Sequence, residues 1–161
     1  MANFSIEVNK SDKGVPIILR RLQGIEGFIV KAWDELSDDF TDALHPHRHD
    51  HYTCMLIEDG ALEVLLDFEH FIMPAKTLFI SPPWQVHQVL SVSKGSGWYI
   101  SFENNLIEAS VRATLDKCLE EMISVGLTDL EFDWFKSVIQ SIMALEEINS
   151  TTYKDVSHPL L

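Results

Sequence analysis

The spacing of apolar residues divides the chain into two parts. From Phe4 to about Phe102, short apolar stretches alternate with polar residues at a period of two, and Gly, Pro and Asp separate them. This pattern is typical of the short strands of a sandwich or small barrel. After Asn105 the apolar period changes to about 3.6, which indicates amphipathic helices. The pattern therefore predicts a mostly β domain followed by helices.

Seven stretches carry the strand pattern: FSIEV, GFIVKAW, YTCMLIE, ALEVLLD, TLFI, VHQVLSV and GWYISF. Asp59-Gly60 is a turn signal, and it predicts a hairpin between YTCMLIE and ALEVLLD. Ser81-Pro82-Pro83 lies between TLFI and VHQVLSV, which would otherwise form one long strand, so we expect a corner there before the next strand.

Two helices are predicted after the strands. The first lies in EASVRATLDKCLEEMISV and ends near Gly126, and the second begins at Thr128 or Asp129. Their apolar stripes are Val111, Leu115, Cys118, Leu119 and Met122 in the first helix and Phe132, Phe135, Val138, Ile139, Ile142 and Met143 in the second. The second stripe is wide enough to pack on the barrel and also to form a shared interface, so we expect a homodimer through these helices.

Composition limits the partners. The 161 residues suit one domain, and 12 Lys+Arg against 25 Asp+Glu give a net charge of −13, which disfavours direct DNA binding by these residues. No apolar run approaches the ~18 residues that cross a bilayer, and no signal peptide is recognisable, so we expect a cytoplasmic chain without membrane contact. Cys54 and Cys118 are predicted to be free thiols.

Histidines supply the candidate chemistry. Four of the seven fall at positions 45, 47, 49 and 51, and a strand period of two would place all four on one face. His87 lies on a second predicted strand, just after the proline corner. Imidazoles two residues apart on a strand converge on one ion or one small polar ligand, although an exposed polar strand entrance is an equal alternative for such residues.

Two motifs carry a family resemblance. HRHDHYTCMLIEDG resembles the first cupin motif, with His47 and His49 in place, Thr53 where the motif has glutamate, and its closing glycine present. PPWQVH resembles the second motif, with His87 in place but Trp84 at a usual glycine position and Lys76 at the leading glycine. The resemblance implies a cupin-type β-barrel, a jelly roll, followed here by two α-helices.

More narrowly, HPHRHDHY, FISPPWQVH and GWYISFENNLI followed by two helices resemble the ligand-binding part of AraC-type transcriptional regulators. The resemblance implies a ligand-binding barrel at 1–105, a helical dimerisation segment at 106–150, and at 151–161 the start of a linker. It also implies a C-terminal pair of helix-turn-helix units, the only part that would bind DNA. No such segment lies in this sequence, which we therefore interpret as a sensor fragment.

The chemistry of the site has two interpretations. A small effector, for example a sugar, would bind the imidazoles and the late-strand aromatic ring, and no cofactor is then expected. The predicted ligand-binding residues are His47, His49, Thr53, Trp84, His87 and Tyr99. The alternative is a stand-alone metal-dependent enzyme that holds a transition metal with His47, His49 and His87, but the usual carboxylate ligand is missing. We expect a non-enzymatic sensor.

Overall fold

The computed structural model describes residues 5–8, 17–22, 27–34 and 43–156. The described strands are β1 (Ser5–Val8), β2 (Ile18–Arg21), β3 (Phe28–Asp34), β4 (His47–His49), β5 (Tyr52–Leu66), β6 (Glu69–Pro74), β7 (Thr77–Ser81), β8 (His87–Phe102) and β9 (Ser124–Gly126). Among the described residues, the longer helices are α1 (Ala109–Glu121) and α2 (Asp129–Val156), and a 3-10 turn spans Asn104–Leu106. The predicted fold class, mostly β with C-terminal helices, is confirmed.

Two long strands organise the sheet. Strands β5 and β8 pair with each other antiparallel from Tyr52 opposite Phe102 to Leu66 opposite His87. The outer edge of β5 pairs with β7 along its first half and with β6 along its second half, while β8 pairs with β4 at its start and with β3 at its end. This curls the sheet into an open, jelly-roll-like barrel.

The hairpin predicted at Asp59-Gly60 is wrong. β5 runs through both residues, with register shifts against β8 at this point. Gly60 has φ +71°, and a Cβ there would lie 2.2 Å from the Ser93 carbonyl oxygen, so the glycine marks a bulge between two crossing backbones. The hairpin instead follows Leu66, where Asp67 and Phe68 take φ of +46° and +73° in a two-residue turn.

Two apolar clusters lie on opposite faces of the sheet. The inner cluster lies on the interior face of the barrel and consists of Trp33, Met55, Ile57, Leu62, Val64, Leu66, Met73, Phe79 and Val89. The outer cluster joins Val30, Leu56 and Trp98 to Phe132 and Ile139 of α2. Met55 and Ile57 therefore lie in the core of the barrel, and α2 packs on the outside of the barrel through its predicted apolar stripe.

The ends of the helices differ in part from the prediction. Helix α1 ends at Glu121, and Ser124–Gly126 adds a strand to β7 instead of continuing the helix. Thr128 caps α2 in a capping box, since its hydroxyl accepts from the Glu131 backbone N–H and the Glu131 carboxylate accepts from the Thr128 N–H. Helix α2 continues to Val156, past the predicted linker start at 151, and the rest of that linker, 157–161, lies outside the described residues.

None of the helices that the structure describes has both the length and the apolar character needed to cross a membrane.

Candidate functional site

Strand register brings the motif histidines together inside the barrel. His47 of β4 pairs directly with His87 of β8, and His87 also pairs with Leu66, a member of the inner cluster. Directly paired residues in an antiparallel ladder point to the same face of the sheet. His49 lies two residues after His47 and therefore shares this face.

The three imidazoles form one compact group. Ring centroids of His47 and His87 lie 4.2 Å apart, those of His47 and His49 5.1 Å, and His49 stacks on His87 at 4.9 Å. One nitrogen from each ring can be chosen so that all three lie within 4.8 Å of one another. The predicted convergence of His47, His49 and His87 is present in the structure.

Backbone carbonyls orient two of these rings. Nδ1–H of His47 donates to the carbonyl oxygen of His45 at 2.8 Å, and Nδ1–H of His87 donates to that of Gln85 at 3.3 Å. Because Nδ1 carries the proton in each ring, Nε2 presents a lone pair. A ligand at these nitrogens must therefore bring a hydrogen-bond donor or a Lewis acid.

Burial keeps the cluster neutral. Desolvation, together with the neighbouring His87 and the charge of Arg20, lowers the pKa of His47 to about 2. Desolvation also lowers the pKa of His87 to about 4 and holds that of His49 well below its ordinary value. At neutral pH these rings therefore act as uncharged hydrogen-bonding groups.

Three hydroxyl groups lie on the same inner face of the sheet. Thr53 pairs with Ser101, and Tyr99 pairs with Met55 of the inner cluster. The Ser101 hydroxyl donates to the Tyr99 hydroxyl oxygen at 2.7 Å and lies 3.5 Å from the Thr53 hydroxyl. The structure thus places Thr53 and Tyr99 on the inner face of the barrel. The predicted ligand-binding set omitted Ser101, although it lies two residues after Tyr99 on the same strand, and the period of two could have identified it.

A fourth histidine joins the cluster. His51 is buried and its ring centroid lies 4.6 Å from that of His49, although it follows the end of β4. His45, which the period of two put on the same face, is exposed because β4 begins only at His47. The sequence pattern therefore grouped one histidine wrongly, while His51 was left out of the predicted ligand-binding set.

Trp84 lies apart from this interior. Its side chain is 55% exposed and lines an outer cleft of about 420 Å³, which it shares with Tyr52, Arg112 and Asp116. The Arg48 guanidinium lies 5.5 Å from the centre of its ring. Contact between Trp84 and a ligand in the barrel stays a prediction.

The backbone at the two atypical motif positions is informative. Trp84 has φ +71° and Lys76 has φ +61°, so both positions adopt the left-handed conformation that favours glycine. These are the positions at which the cupin motifs usually have glycine. The residue type has changed at both positions, but the chain path that the motif requires is kept.

The donor set at the cluster fits a transition metal only in part. Three converging imidazoles are good ligands for several such ions. The position of the usual anionic ligand is held by Thr53, whose neutral hydroxyl is a poor ligand, and Cys54 beside it has a pKa raised to about 12 by burial. A bound metal would therefore have three neutral protein ligands.

Comparison with known proteins establishes the class. Residues 36–118 match the model of the AraC-like ligand binding domain, which is half of the chain, and the chain belongs to this family. The resemblance inferred from the motifs is thereby confirmed, and the chain is the effector-binding kind of domain found in regulators.

Among solved structures, the chain is similar to ToxT from Vibrio cholerae, which was crystallised with (E)-4-(8-methylnaphthalen-1-yl)but-3-enoic acid. The identity is 10% and the TM-score 0.38, over 82% of this chain and 53% of the ToxT chain. This chain thus spans about half the length of that protein. No curated protein matches it in sequence.

Proposed function

We propose that this chain is the effector-sensing and dimerisation part of a cytoplasmic transcriptional regulator, and that it binds a neutral, polyhydroxylated small molecule such as a sugar inside the barrel. Effector binding would control a C-terminal helix-turn-helix domain that lies outside these residues. The role requires binding and no chemical step, because a ligand shifts the protein between two arrangements when it binds one of them more tightly.

Three neutral imidazoles and a set of hydroxyl groups on the same inner face of the barrel carry this proposal. The bare Nε2 atoms of His47 and His87 accept hydrogen bonds, and the hydroxyls of Thr53, Ser101 and Tyr99 both donate and accept. Sugar hydroxyls match such a surface, since each can donate to one group and accept from another. The Tyr99 ring adds apolar area against a sugar ring face.

Thermal unfolding with a panel of aldoses, alditols and small carboxylic acids tests the proposal. A ligand at a hundred times its Kd stabilises the native state by about 2.7 kcal/mol, which raises Tm by roughly 5 to 10 °C for a chain of this size. The shift should disappear in His87→Ala. It should persist in His70→Ala, a matched change at an exposed histidine on β6. A panel without any effect on the wild type, or equal shifts in both variants, would contradict the site.

The outer surface of α2 supports the dimer. Besides the stripe that packs on the barrel, Leu130, Trp134, Val138 and Leu145 are exposed, and their spacing places them on one side of the helix. The hydroxyls of Ser137 and Ser141 on that side donate to carbonyls of the preceding turn. The first helix adds exposed Val111 and Met122. Such an apolar surface is typical of a protein interface.

Light scattering over a range of concentrations tests the dimer. We expect the wild type to have twice the monomer mass and Trp134→Glu to have the monomer mass, because a buried carboxylate would disrupt the interface. Gln140→Glu, at an exposed position of the same helix outside this apolar set, should remain dimeric. A wild type of monomer mass at every concentration would contradict the interface.

A metal-dependent enzyme is the second candidate, and the three ring nitrogens within 4.8 Å of one another favour it. His47, His49 and His87 would hold the metal, which would act as a Lewis acid. Metal analysis of protein purified without chelator separates the candidates. A stoichiometric transition metal that is lost in His47→Ala would favour the enzyme, and its absence would favour the sensor.

A further inference from the structure

Asp50 and His51 form an acid–imidazole pair beside the three-histidine cluster. The side chain of His51 is 0% exposed and that of Asp50 is 29% exposed. Nδ1–H of His51 donates to Oδ1 of Asp50 at 3.0 Å. The carboxylate therefore fixes the proton on Nδ1, and Nε2 of His51 becomes a bare acceptor on the inner side of the ring.

Two nitrogens at this point lack a partner within the described structure. Nε2 of His51 and Nδ1 of His49 are both buried and make no hydrogen bond to a described residue. The two rings lie 4.6 Å apart at an angle of 73°. Buried polar atoms are nearly always paired, since an unpaired one has lost its water without compensation. Two such atoms on adjacent rings therefore indicate a position for an external polar group.

The chemistry of the two nitrogens favours a hydroxyl group. His51 Nε2 requires a donor, which a carboxylate does not supply. A metal held by the cluster would lie among nitrogens of His47, His49 and His87, and His51 does not belong to that set among the described residues. A hydroxyl donates its single hydrogen to His51 Nε2, and its oxygen accepts from Nδ1–H of His49, which requires the tautomer of His49 with the proton on Nδ1.

We propose that Asp50, His51 and His49 form a hydroxyl-binding subsite of the effector pocket, in which Nε2 of His51 accepts a hydrogen bond from one hydroxyl of a polyhydroxylated ligand. Nδ1 of His49 bonds to the same hydroxyl. Asp50 is a positioning residue, because it acts by fixing the tautomer of His51. The subsite rests on the proposed effector function and adds a specificity-determining residue to it.

Calorimetric titration tests the subsite with the tightest-binding aldose or alditol of the panel and with its monodeoxy analogues. His51→Leu removes the acceptor, and we expect an affinity loss of about tenfold, the effect of one hydrogen bond. His51→Gln keeps an acceptor near the Nε2 position and should lose less. His70→Leu, a matched change at a half-exposed histidine of β6 away from the cluster, should bind like the wild type.

The monodeoxy analogues identify the hydroxyl. For the wild type, one analogue should bind about tenfold more weakly than the parent compound. For His51→Leu, that analogue and the parent compound should bind equally, because the variant has already lost the hydrogen bond that the missing hydroxyl would make. Equal affinities of the wild type and His51→Leu for the parent compound would overturn the subsite, since the two nitrogens would then be paired by water alone.

Long-range ¹H–¹⁵N spectra of the histidine rings in the wild type keep the test independent of variant stability. We expect His51 to carry its proton on Nδ1, with an Nε2 signal that moves when the ligand binds. A proton on Nε2, or a wild type that binds only carboxylic acids, would overturn the subsite while the sensing function stands. A wild type that binds no compound of the panel would instead contradict the proposed function, and the subsite with it.

Discussion

Acid sensitivity of folding is the clearest consequence of the buried histidine cluster. The pKa of His87 is about 4 in the native state, whereas the pKa of a histidine in an unfolded chain is about 6.5. The unfolded chain therefore binds the proton first, so the contribution of His87 to stability is complete above about pH 6.5 and declines as the pH falls toward about 4. Between about pH 7.5 and about pH 5.5 the loss is about 1.3 kcal/mol for this residue.

His47 and His49 add to this loss. Burial lowers the pKa of His47 to about 2, and it lowers the pKa of His49 well below the ordinary value of a histidine. We therefore expect the wild type to lose about 2.7 kcal/mol of unfolding free energy over this range from His47 and His87 together, and His49 adds to the loss in the same direction. In His87→Gln the loss should be smaller by about 1.3 kcal/mol, because the amide does not titrate.

Urea unfolding at both pH values, in buffer with a chelator so that no metal competes for the rings, measures this difference. The control is His70→Gln, which changes a half-exposed histidine away from the cluster and should keep the pH dependence of the wild type. If His87→Gln has the same pH dependence as the wild type, the ring of His87 is not held neutral, and the description of the cluster as uncharged hydrogen-bonding groups is refuted.

Three further predictions concern stability and are measured by urea unfolding. Leu62→Ala should cost about 2–5 kcal/mol because its side chain is 0% exposed in the inner cluster, and a cost below about 1 kcal/mol would contradict that packing. Gly60→Ala should cost at least about 2 kcal/mol, since its Cβ would meet a carbonyl oxygen at positive φ; a neutral effect would argue against the bulge. Thr128→Ala should cost about 1 kcal/mol through the lost cap of α2, whereas Thr114→Ala, inside α1 and exposed, should have almost no effect.

The period of two carried most of the information about the barrel. It placed His47 and His49 on one face, because both lie within the regular strand β4. The same rule failed at His45, where no strand has yet begun. Parity holds only inside an element, and the exact start of a strand is set by its partners rather than by its own residues.

The residues that usually form turns predicted the hairpin at the wrong position. Asp59-Gly60 has the composition of a hairpin turn, yet the glycine is needed because the backbone of Ser93 passes too close for a Cβ. The actual hairpin uses Asp67-Phe68, which has no glycine or asparagine to signal positive φ. A close approach between strands far apart in sequence leaves no local pattern, so the sequence could not distinguish the bulge from a turn.

The site was predictable as a set of histidines but not as a set of hydrogen bonds. Convergence of His47 and His87 followed from two motifs on separate strands, and the register confirms it. The buried state of His51 and its bond to Asp50 depend on how the chain bends between β4 and β5. Such a bend is a tertiary feature, and it determines which nitrogens remain available to a ligand.

A methyl and indole NMR titration with the best-binding compound of the panel tests the central claim, that the effector binds inside the barrel. Met55 lies in the inner cluster opposite Tyr99, whereas Met122 is exposed beside the helices and Trp84 lines the outer cleft. We predict that the Met55 methyl signal moves with the ligand while the Met122 methyl and Trp84 indole signals stay in place. Movement of the Trp84 or Met122 signals with an unchanged Met55 signal would place the ligand outside the barrel and contradict the account.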